Sequence, residues 1–132
     1  MSEIVQPFPP ANFFREDVVC VFVHKDYDVL DSLKLHTSEL LAANAFKSKD
    51  RQKAFLLGRK TALLALMKIG LSAPVLRGNS DEPLWPKGVV GSISHSGEFA
   101  ICVVTNSKSI QGIGIDLECQ RTLLKHCRFL HI

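Results

Sequence analysis

The longest regular pattern of polar and apolar residues in the chain predicts a helix. The segment SKDRQKAFLLGRKTALLALMKIG has Ser48 or Asp50 at its start, and it has Gly70 at the place where a left-handed residue ends a helix. A glycine inside a helix costs about 1 kcal/mol relative to alanine. Gly58 therefore indicates close packing between this helix and a neighbouring element.

Shorter patterns predict strands on either side of this helix. Apolar, β-branched and alternating runs predict strands at residues 17–24, 89–95, 98–105 and 110–118. A short helix is predicted around residues 37–45, with Thr37 or Ser38 as its N-cap. Residues 71–88 are rich in proline and predict a loop with a turn at residues 78–81. Together these elements predict an α+β fold, with a mostly antiparallel sheet packed against the long helix.

Composition limits the class of protein. The chain has 132 residues, 46% of them hydrophobic, which suits one domain with its own core. It contains no run near the roughly 18 apolar residues of a membrane helix, and its start lacks the features of a signal peptide. We expect a cytoplasmic protein without a transmembrane segment. The four cysteines form no C-x-x-C pair, so reduced thiols are favoured over disulfides or zinc ligands.

The charge of the chain is modest in total but uneven in its distribution. A formal net charge of +3 does not by itself indicate nucleic acid as a partner. Between residues 47 and 60, six basic residues accompany the single acid Asp50, and Arg51, Phe55 and Arg59 share one flank of the predicted helix. This flank could bind an anion. The alternative is a solvated helix face without a ligand.

The segment GIGIDLE places two carboxylates in a predicted strand. Because strand side chains alternate between faces, Asp116 and Glu118 would share one face, with Ile115 on the other. Carboxylates at this spacing stand roughly 7 Å apart at Cα, so their oxygens could converge on one hard cation. The alternative is an edge strand with a solvated acidic face.

The segment GSISHSG predicts a strand that ends in a histidine before a tight turn. Ser92 and Ser94 would share a face, whereas His95 would reach over the edge of the sheet. An imidazole in that position could donate a hydrogen bond to a phosphate oxygen. The alternative is a turn histidine with no partner.

Three motifs in order, LLGRKTA, PLWPKGVVGSISHS and GIGIDLE, resemble the amino-terminal half of the 4′-phosphopantetheinyl transferases, most closely the enterobactin synthase component D type. The resemblance covers roughly residues 40–118. It implies a single domain over residues 1–132, corresponding to that half, with the carboxy-terminal half absent. A truncated gene product would explain this.

The resemblance also implies an activity. Enzymes of this family move the phosphopantetheine arm of coenzyme A to a serine of an apo carrier protein and release adenosine 3′,5′-bisphosphate. The expected partners are coenzyme A and an acyl, peptidyl or aryl carrier protein, with an enterobactin synthase complex as the siderophore-type example. Asp116 and Glu118 match the family's magnesium ligands. Such a pair suits magnesium, which binds carboxylates together with substrate phosphate.

The same resemblance implies residues that bind coenzyme A, namely Arg51, Arg59, Lys87, Ser94 and His95. For Lys87 the alternative is an exposed loop lysine. Trp85 is interpreted as a packing residue rather than a base-stacking one.

Two departures from the family pattern affect the expected chemistry. Similar enzymes carry a basic residue shortly before P-x-W-P, where this chain has Asp81 and Glu82, so a phosphate contact there would need Arg77 as a substitute. The family's second half carries a W-x-x-K-E motif that supplies the general base, and this chain contains no Lys-Glu dipeptide. The catalytic base is therefore unassigned.

Three functional classes stay open at this stage. They are an active transferase, a coenzyme A-binding half-enzyme with little turnover, and an unrelated D-x-E metal-dependent phosphohydrolase. The last would not explain the SISH and LGR segments.

Overall fold

The structure is a computed structural model that describes residues 17–118 and 123–131, with side chains described for residues 17–114. Within these residues the elements follow in the order β1 (Val19–His24), a 3-10 helix (Asp28–Ser32), α1 (Thr37–Asn44), α2 (Lys49–Lys68), β2 (Leu76–Arg77), β3 (Pro83–Leu84), β4 (Val90–Ser96), β5 (Phe99–Thr105), β6 (Ile110–Glu118) and β7 (Leu123–His131). The α+β class with antiparallel sheets is confirmed.

The central sheet has the strand order β1-β5-β4, and both of its pairings are antiparallel. Alternate residues of β5 belong to two apolar clusters, one on each face of the sheet, because successive side chains of a strand point to opposite faces. Ala100 and Cys102 pack with Ala62 and Leu66 of α2, whereas Ile101 packs on the opposite face with residues that include Ile110 of β6. The sheet is therefore covered by α2 on one face and by β6 on the other.

Helix α2 begins and ends as the sequence predicts. The Ser48 hydroxyl accepts a hydrogen bond from the Arg51 amide, which makes Ser48 the N-cap. At the other end Gly70 has a φ of 82°, and the Leu71 amide donates to the Leu66 carbonyl at 3.0 Å. This is the Schellman arrangement, in which a left-handed residue lets the chain satisfy the last carbonyls of the helix.

Close packing at Gly58 is also confirmed. A Cβ added there would lie 3.1 Å from Cγ2 of Ile93 in β4. The absence of a side chain at this position lets β4 approach the helix.

The N-cap predicted for α1 was wrong by one or two residues. The cap is His36, not Thr37 or Ser38: its Nδ1 accepts a hydrogen bond from the Ser38 amide at 3.1 Å. The His36 amide in turn donates to the Glu39 carboxylate at 3.0 Å. Glu39 also binds the Val75 amide, and this fixed carboxylate favours the helix start at which it can complete a capping box.

Two short strands lie in the segment predicted to be a loop. Strands β2 and β3 pair Leu76 with Leu84 and Arg77 with Pro83, around a turn in which the Gly78 amide donates to the Glu82 carbonyl at 2.7 Å. Two-residue strands are too short to produce a period in the sequence, so only the turn was predictable.

The prediction of reduced cysteines is confirmed for the two whose side chains are described, because Cys20 and Cys102 are free thiols. Burial raises the pKa of the Cys102 thiol well above its ordinary value, which keeps it protonated and unreactive. The side chains of Cys119 and Cys127 lie outside the described residues. Within the described part of the chain, no helix has the length and apolar character needed to cross a membrane.

Candidate functional site

A cleft of about 260 Å³ lies between α2, the β2–β3 turn and β4. Its charged and aromatic lining residues are Arg51, Arg59, Arg77, His95, Asp81, Phe46 and Phe55. Residues spaced by four positions fall on one face of a helix, which explains why Arg51, Phe55 and Arg59 reach the same cleft. The basic flank predicted from the sequence therefore faces a cavity.

Arg59 has a structural role in addition to lining the cleft. Only 5% of the residue is exposed. Its Nε donates to the Val75 carbonyl at 3.1 Å and a terminal nitrogen donates to the Leu76 carbonyl at 3.4 Å. Burial lowers the pKa of the guanidinium, and the Glu39 carboxylate partly offsets this by raising it. A guanidinium has five N–H donors, so these two bonds leave capacity for a ligand.

Phe46 and Phe55 place the arginines by cation–π contact. The guanidinium carbon of Arg59 lies 4.4 Å from the Phe55 ring centroid. Those of Arg51 and Arg77 lie 5.2 Å and 4.5 Å from the Phe46 ring centroid. The two rings touch each other with centroids 5.4 Å apart. An aromatic pair thus holds three cations around one cavity.

One carboxylate faces these cations. Asp81 Oδ1 lies 2.8 Å from a terminal nitrogen of Arg77. With three guanidinium groups against one carboxylate, the cleft keeps a positive balance and suits an anionic ligand. A planar guanidinium is well matched to phosphate oxygens.

His95 supplies a polar group to the cleft, two residues beyond Ile93, where β4 comes closest to α2. Solvent still reaches the residue, yet removal of water around the ring lowers the pKa of the imidazole from its ordinary value. The ring is therefore mostly neutral at pH 7 and can donate one hydrogen bond to an anion.

The family model of the 4′-phosphopantetheinyl transferase N-terminal domain matches residues 37–105, just over half of the chain. The chain belongs to the 4′-phosphopantetheinyl transferase family. All of the cleft residues lie inside the matched range.

Individual transferases agree with this assignment. The chain is 34% identical to 4′-phosphopantetheinyl transferase PptT of Mycobacterium tuberculosis, over 89% of the chain and 50% of that protein. It is 36% identical to 4′-phosphopantetheinyl transferase Npt of Nocardia iowensis, over 70% of the chain and 42% of that protein. It is 33% identical to enterobactin synthase component D of Escherichia coli, over 84% of the chain and 44% of that protein. The chain spans half or less of the length of these three relatives.

Of the coenzyme-binding residues that the transferase resemblance implied, the structure brings Arg51, Arg59 and His95 together in the cleft. Ser94 pairs with Ile101 of β5, and paired residues of antiparallel strands point to the same face, so Ser94 faces β6 instead. Lys87 is exposed in the loop between β3 and β4. Phe46 was missed, because an aromatic residue before a helix N-cap carries no signal of its own.

Packing of Trp85, which lies in the transferase motif PLWPKG, is confirmed. Trp85 packs against the cluster on the α2 face of the sheet. Its ring also lies directly over Gly91, where a Cβ would come within 2.7 Å of Cζ2.

The transferase D-x-E pair, Asp116 and Glu118, lies on strand β6 as predicted. The pairing of β6 with β7 shifts register between Asp116 and Leu117, where β7 has one extra residue. Strand β6 itself therefore runs without interruption from Gly112 to Glu118. The two carboxylate side chains lie outside the described residues. Among the side chains that are described, no group of three or more His, Cys, Asp or Glu could hold a metal ion.

Proposed function

We propose that this chain transfers the 4′-phosphopantetheine arm of coenzyme A to a serine hydroxyl of an apo carrier protein. The observation that carries the proposal is the cleft in which Arg51, Arg59, Arg77 and His95 converge, inside the part of the chain that matches the transferase family. Coenzyme A carries a 3′-phosphate and a pyrophosphate, and a cluster of arginines supplies the charge and the donors that such groups need.

Within this cleft the residues have separate tasks. Arg51 and His95 donate to phosphate oxygens of the coenzyme. Arg59 holds the segment after α2 in place through Val75 and Leu76 while its remaining donors serve the ligand. Lys87 and Ser94, which the family resemblance also implies, would meet other parts of the coenzyme from outside the cleft.

Asp116 and Glu118 are the residues that would hold magnesium. Two carboxylates on one continuous strand fit this ion by ligand type, because magnesium takes oxygen ligands and combines one or two carboxylates with substrate phosphate. Magnesium held there would supply positive charge to the pyrophosphate and to the leaving adenosine 3′,5′-bisphosphate. The general base that deprotonates the carrier serine is not assigned to a residue of this chain.

The proposed partner is an acyl, peptidyl or aryl carrier protein. One relative is an enterobactin synthase component, which makes a siderophore-type synthase a candidate source of that carrier. The cytoplasmic location stays a prediction from the sequence.

A second candidate is a coenzyme A-binding protein with little or no turnover. It is favoured by the described cleft itself, whose charged lining residues are mostly cations that suit anion binding, while no residue of the described part of the chain is assigned as the general base. A missing general base typically reduces the rate by roughly 10²- to 10⁴-fold.

Intact-protein mass spectrometry distinguishes the two candidates. Apo carrier protein is incubated with coenzyme A, magnesium and the chain, with Asp116→Asn as the matched control that removes one proposed ligand charge. Conversion to the holo form that is lost in the control supports the transferase. Calorimetry then measures coenzyme A binding: binding without conversion supports the second candidate, and absence of both would refute the use of this cleft for the coenzyme.

A further inference from the structure

Arg77 presents its guanidinium to the cleft in a fixed position. It comes from β2, its guanidinium carbon lies 4.5 Å from the centroid of the Phe46 ring, and its side chain is 24% exposed. The carboxylate of Asp81 lies 2.8 Å from its terminal nitrogen and has a side chain that is 67% exposed. The cation is therefore the anchored member of the pair, and the carboxylate is the one that water can solvate.

The turn that carries Asp81 is tightly built. The Asp81 amide donates to the Gly78 carbonyl at 3.0 Å, and the residue has a φ of 66°. A residue with a Cβ adopts this left-handed conformation at an energetic cost, although aspartate tolerates it better than most. The turn thus directs the side chain of Asp81 to Arg77.

The neighbouring acid, Glu82, has a different task. Its carboxylate accepts a hydrogen bond from the Ser80 amide at 2.9 Å and lies against Gly78. Glu82 therefore stabilises the turn itself, and Asp81 is the acid that lies in the cleft.

We propose that Arg77 is an additional anion-binding residue of the cleft and that Asp81 is its built-in competitor. An entering phosphate group replaces the Asp81 carboxylate on Arg77. The identity of the ligand as coenzyme A rests on the proposed function; the exchange itself rests only on the ion pair and its place in the cleft.

The exchange selects among anions. A carboxylate carries one charge, whereas a phosphomonoester carries close to two at neutral pH and offers three acceptor oxygens. A ligand of this kind can displace Asp81, which returns to water at little cost because it is already exposed. A singly charged ligand gains much less, so Asp81 raises the selectivity of the cleft for strongly charged phosphates.

Binding measurements at low ionic strength test this inference, because salt screens exposed charges. Adenosine 3′,5′-bisphosphate and inorganic pyrophosphate are titrated into the wild-type chain, Asp81→Asn, Glu82→Gln, Arg77→Gln and the double variant Arg77→Gln/Asp81→Asn. Glu82→Gln is the matched control, since it removes the same charge one residue away and keeps an acceptor for Ser80. Circular dichroism and thermal unfolding verify that each variant is folded.

We expect Asp81→Asn to tighten binding by about two- to fivefold, the range of an exposed ion pair, and Glu82→Gln to change it by less than about twofold. In the Arg77→Gln background the gain should fall to the level of Glu82→Gln. An equal gain with and without Arg77, or no gain over Glu82→Gln, would overturn the exchange. If pyrophosphate shows the expected pattern and adenosine 3′,5′-bisphosphate does not, the exchange is upheld and the assignment of the ligand as coenzyme A is refuted. No binding of either ligand to any variant would refute both.

Discussion

The backbone of Val75 is held from both sides by buried ionisable side chains, and its carbonyl accepts a hydrogen bond from Arg59 Nε at 3.1 Å. Its amide donates to Glu39 Oε2 at 3.1 Å. Both ionisable residues are at most 5% exposed. Glu39 belongs to α1 and Arg59 to α2, so this arrangement joins two helices to the segment that leads into β2.

Arg59→Ala should therefore lower the free energy of unfolding by about 2–4 kcal/mol, because it leaves two backbone carbonyls without their donor and removes the positive charge that interacts with the buried Glu39 carboxylate. Arg51→Ala, which removes an exposed cation in contact with Phe46, should cost about 1 kcal/mol or less. Urea denaturation of both variants checks the contrast. Equal stability losses would mean that the Val75 and Leu76 bonds contribute little.

This difference determines which arginine can report on ligand binding. A loss of coenzyme A affinity in Arg59→Ala would have two causes that cannot be separated. One is the missing contact between Arg59 and the ligand, and the other is displacement of the segment after α2 that Arg59 holds in place. Arg51 lines the same cleft from the first turn of α2, and its guanidinium packs on the Phe46 ring. Arg51 is therefore the cleaner position for testing the proposed coenzyme site.

Local signals in the sequence were sufficient for the elements that frame the cleft. Ser48 and Gly70 mark the ends of α2 through capping chemistry that involves only near neighbours in the chain. Gly58 indicated that another element packs closely against α2, because a glycine lowers the stability of a helix interior and needs a packing reason to be there. The identity of the approaching residue, Ile93, could not be predicted, since it depends on how the sheet packs.

Features that depend on distant residues were missed. His36 became the N-cap of α1 because Glu39 is also bound to the Val75 amide, 36 residues further along the chain. The hydrogen bonds from Arg59 to the backbone beyond α2 also join residues that are distant in the sequence, so no local pattern predicts them. For the site, His95 was predicted to begin the turn after β4, but this was wrong, because β4 continues to Ser96 and His95 pairs with Ala100 inside the strand. The position of Phe46 against two arginines follows from tertiary packing alone.

Gly91→Ala should destabilise the protein by about 1–3 kcal/mol. Gly91 lies in β4, where an added Cβ would come within 2.7 Å of the Trp85 ring and 2.9 Å of the Val103 carbonyl oxygen. The carbonyl belongs to the neighbouring strand and cannot move without disturbing the sheet, so overpacking is the expected result. Thermal or urea denaturation measures the loss.

Gly114→Ala is the matched control for this prediction. Among the described atoms, a Cβ at Gly114 meets nothing within 4 Å. Its effect should stay within about 0.5 kcal/mol, as for most open positions. A loss at Gly91 no larger than that at Gly114 would show that Trp85 and the sheet can adjust.

His95 should make ligand binding depend on pH. In the free protein, burial lowers the pKa of its imidazole, so the ring is mostly neutral at pH 7. The ionisable groups that share the cleft with it are Arg51, Arg59, Arg77 and Asp81, and the arginines stay charged throughout the physiological range. A bound phosphate adds negative charge, favours the protonated ring and raises its pKa. Binding therefore takes up a proton.

Affinity for adenosine 3′,5′-bisphosphate should accordingly rise as pH falls from 8 towards 6, by at most tenfold per pH unit, until the imidazole of the free protein is itself protonated. His95→Gln keeps a neutral hydrogen-bond donor without a titrating group, so it should bind the ligand at pH 8 nearly as well as the wild type and lose this rise. Protonation of the ligand phosphate, with a pKa of about 6, affects both proteins equally and cancels in their ratio. Calorimetry in two buffers of different ionisation enthalpy measures the proton uptake directly. The same uptake in both proteins would place the titrating group elsewhere.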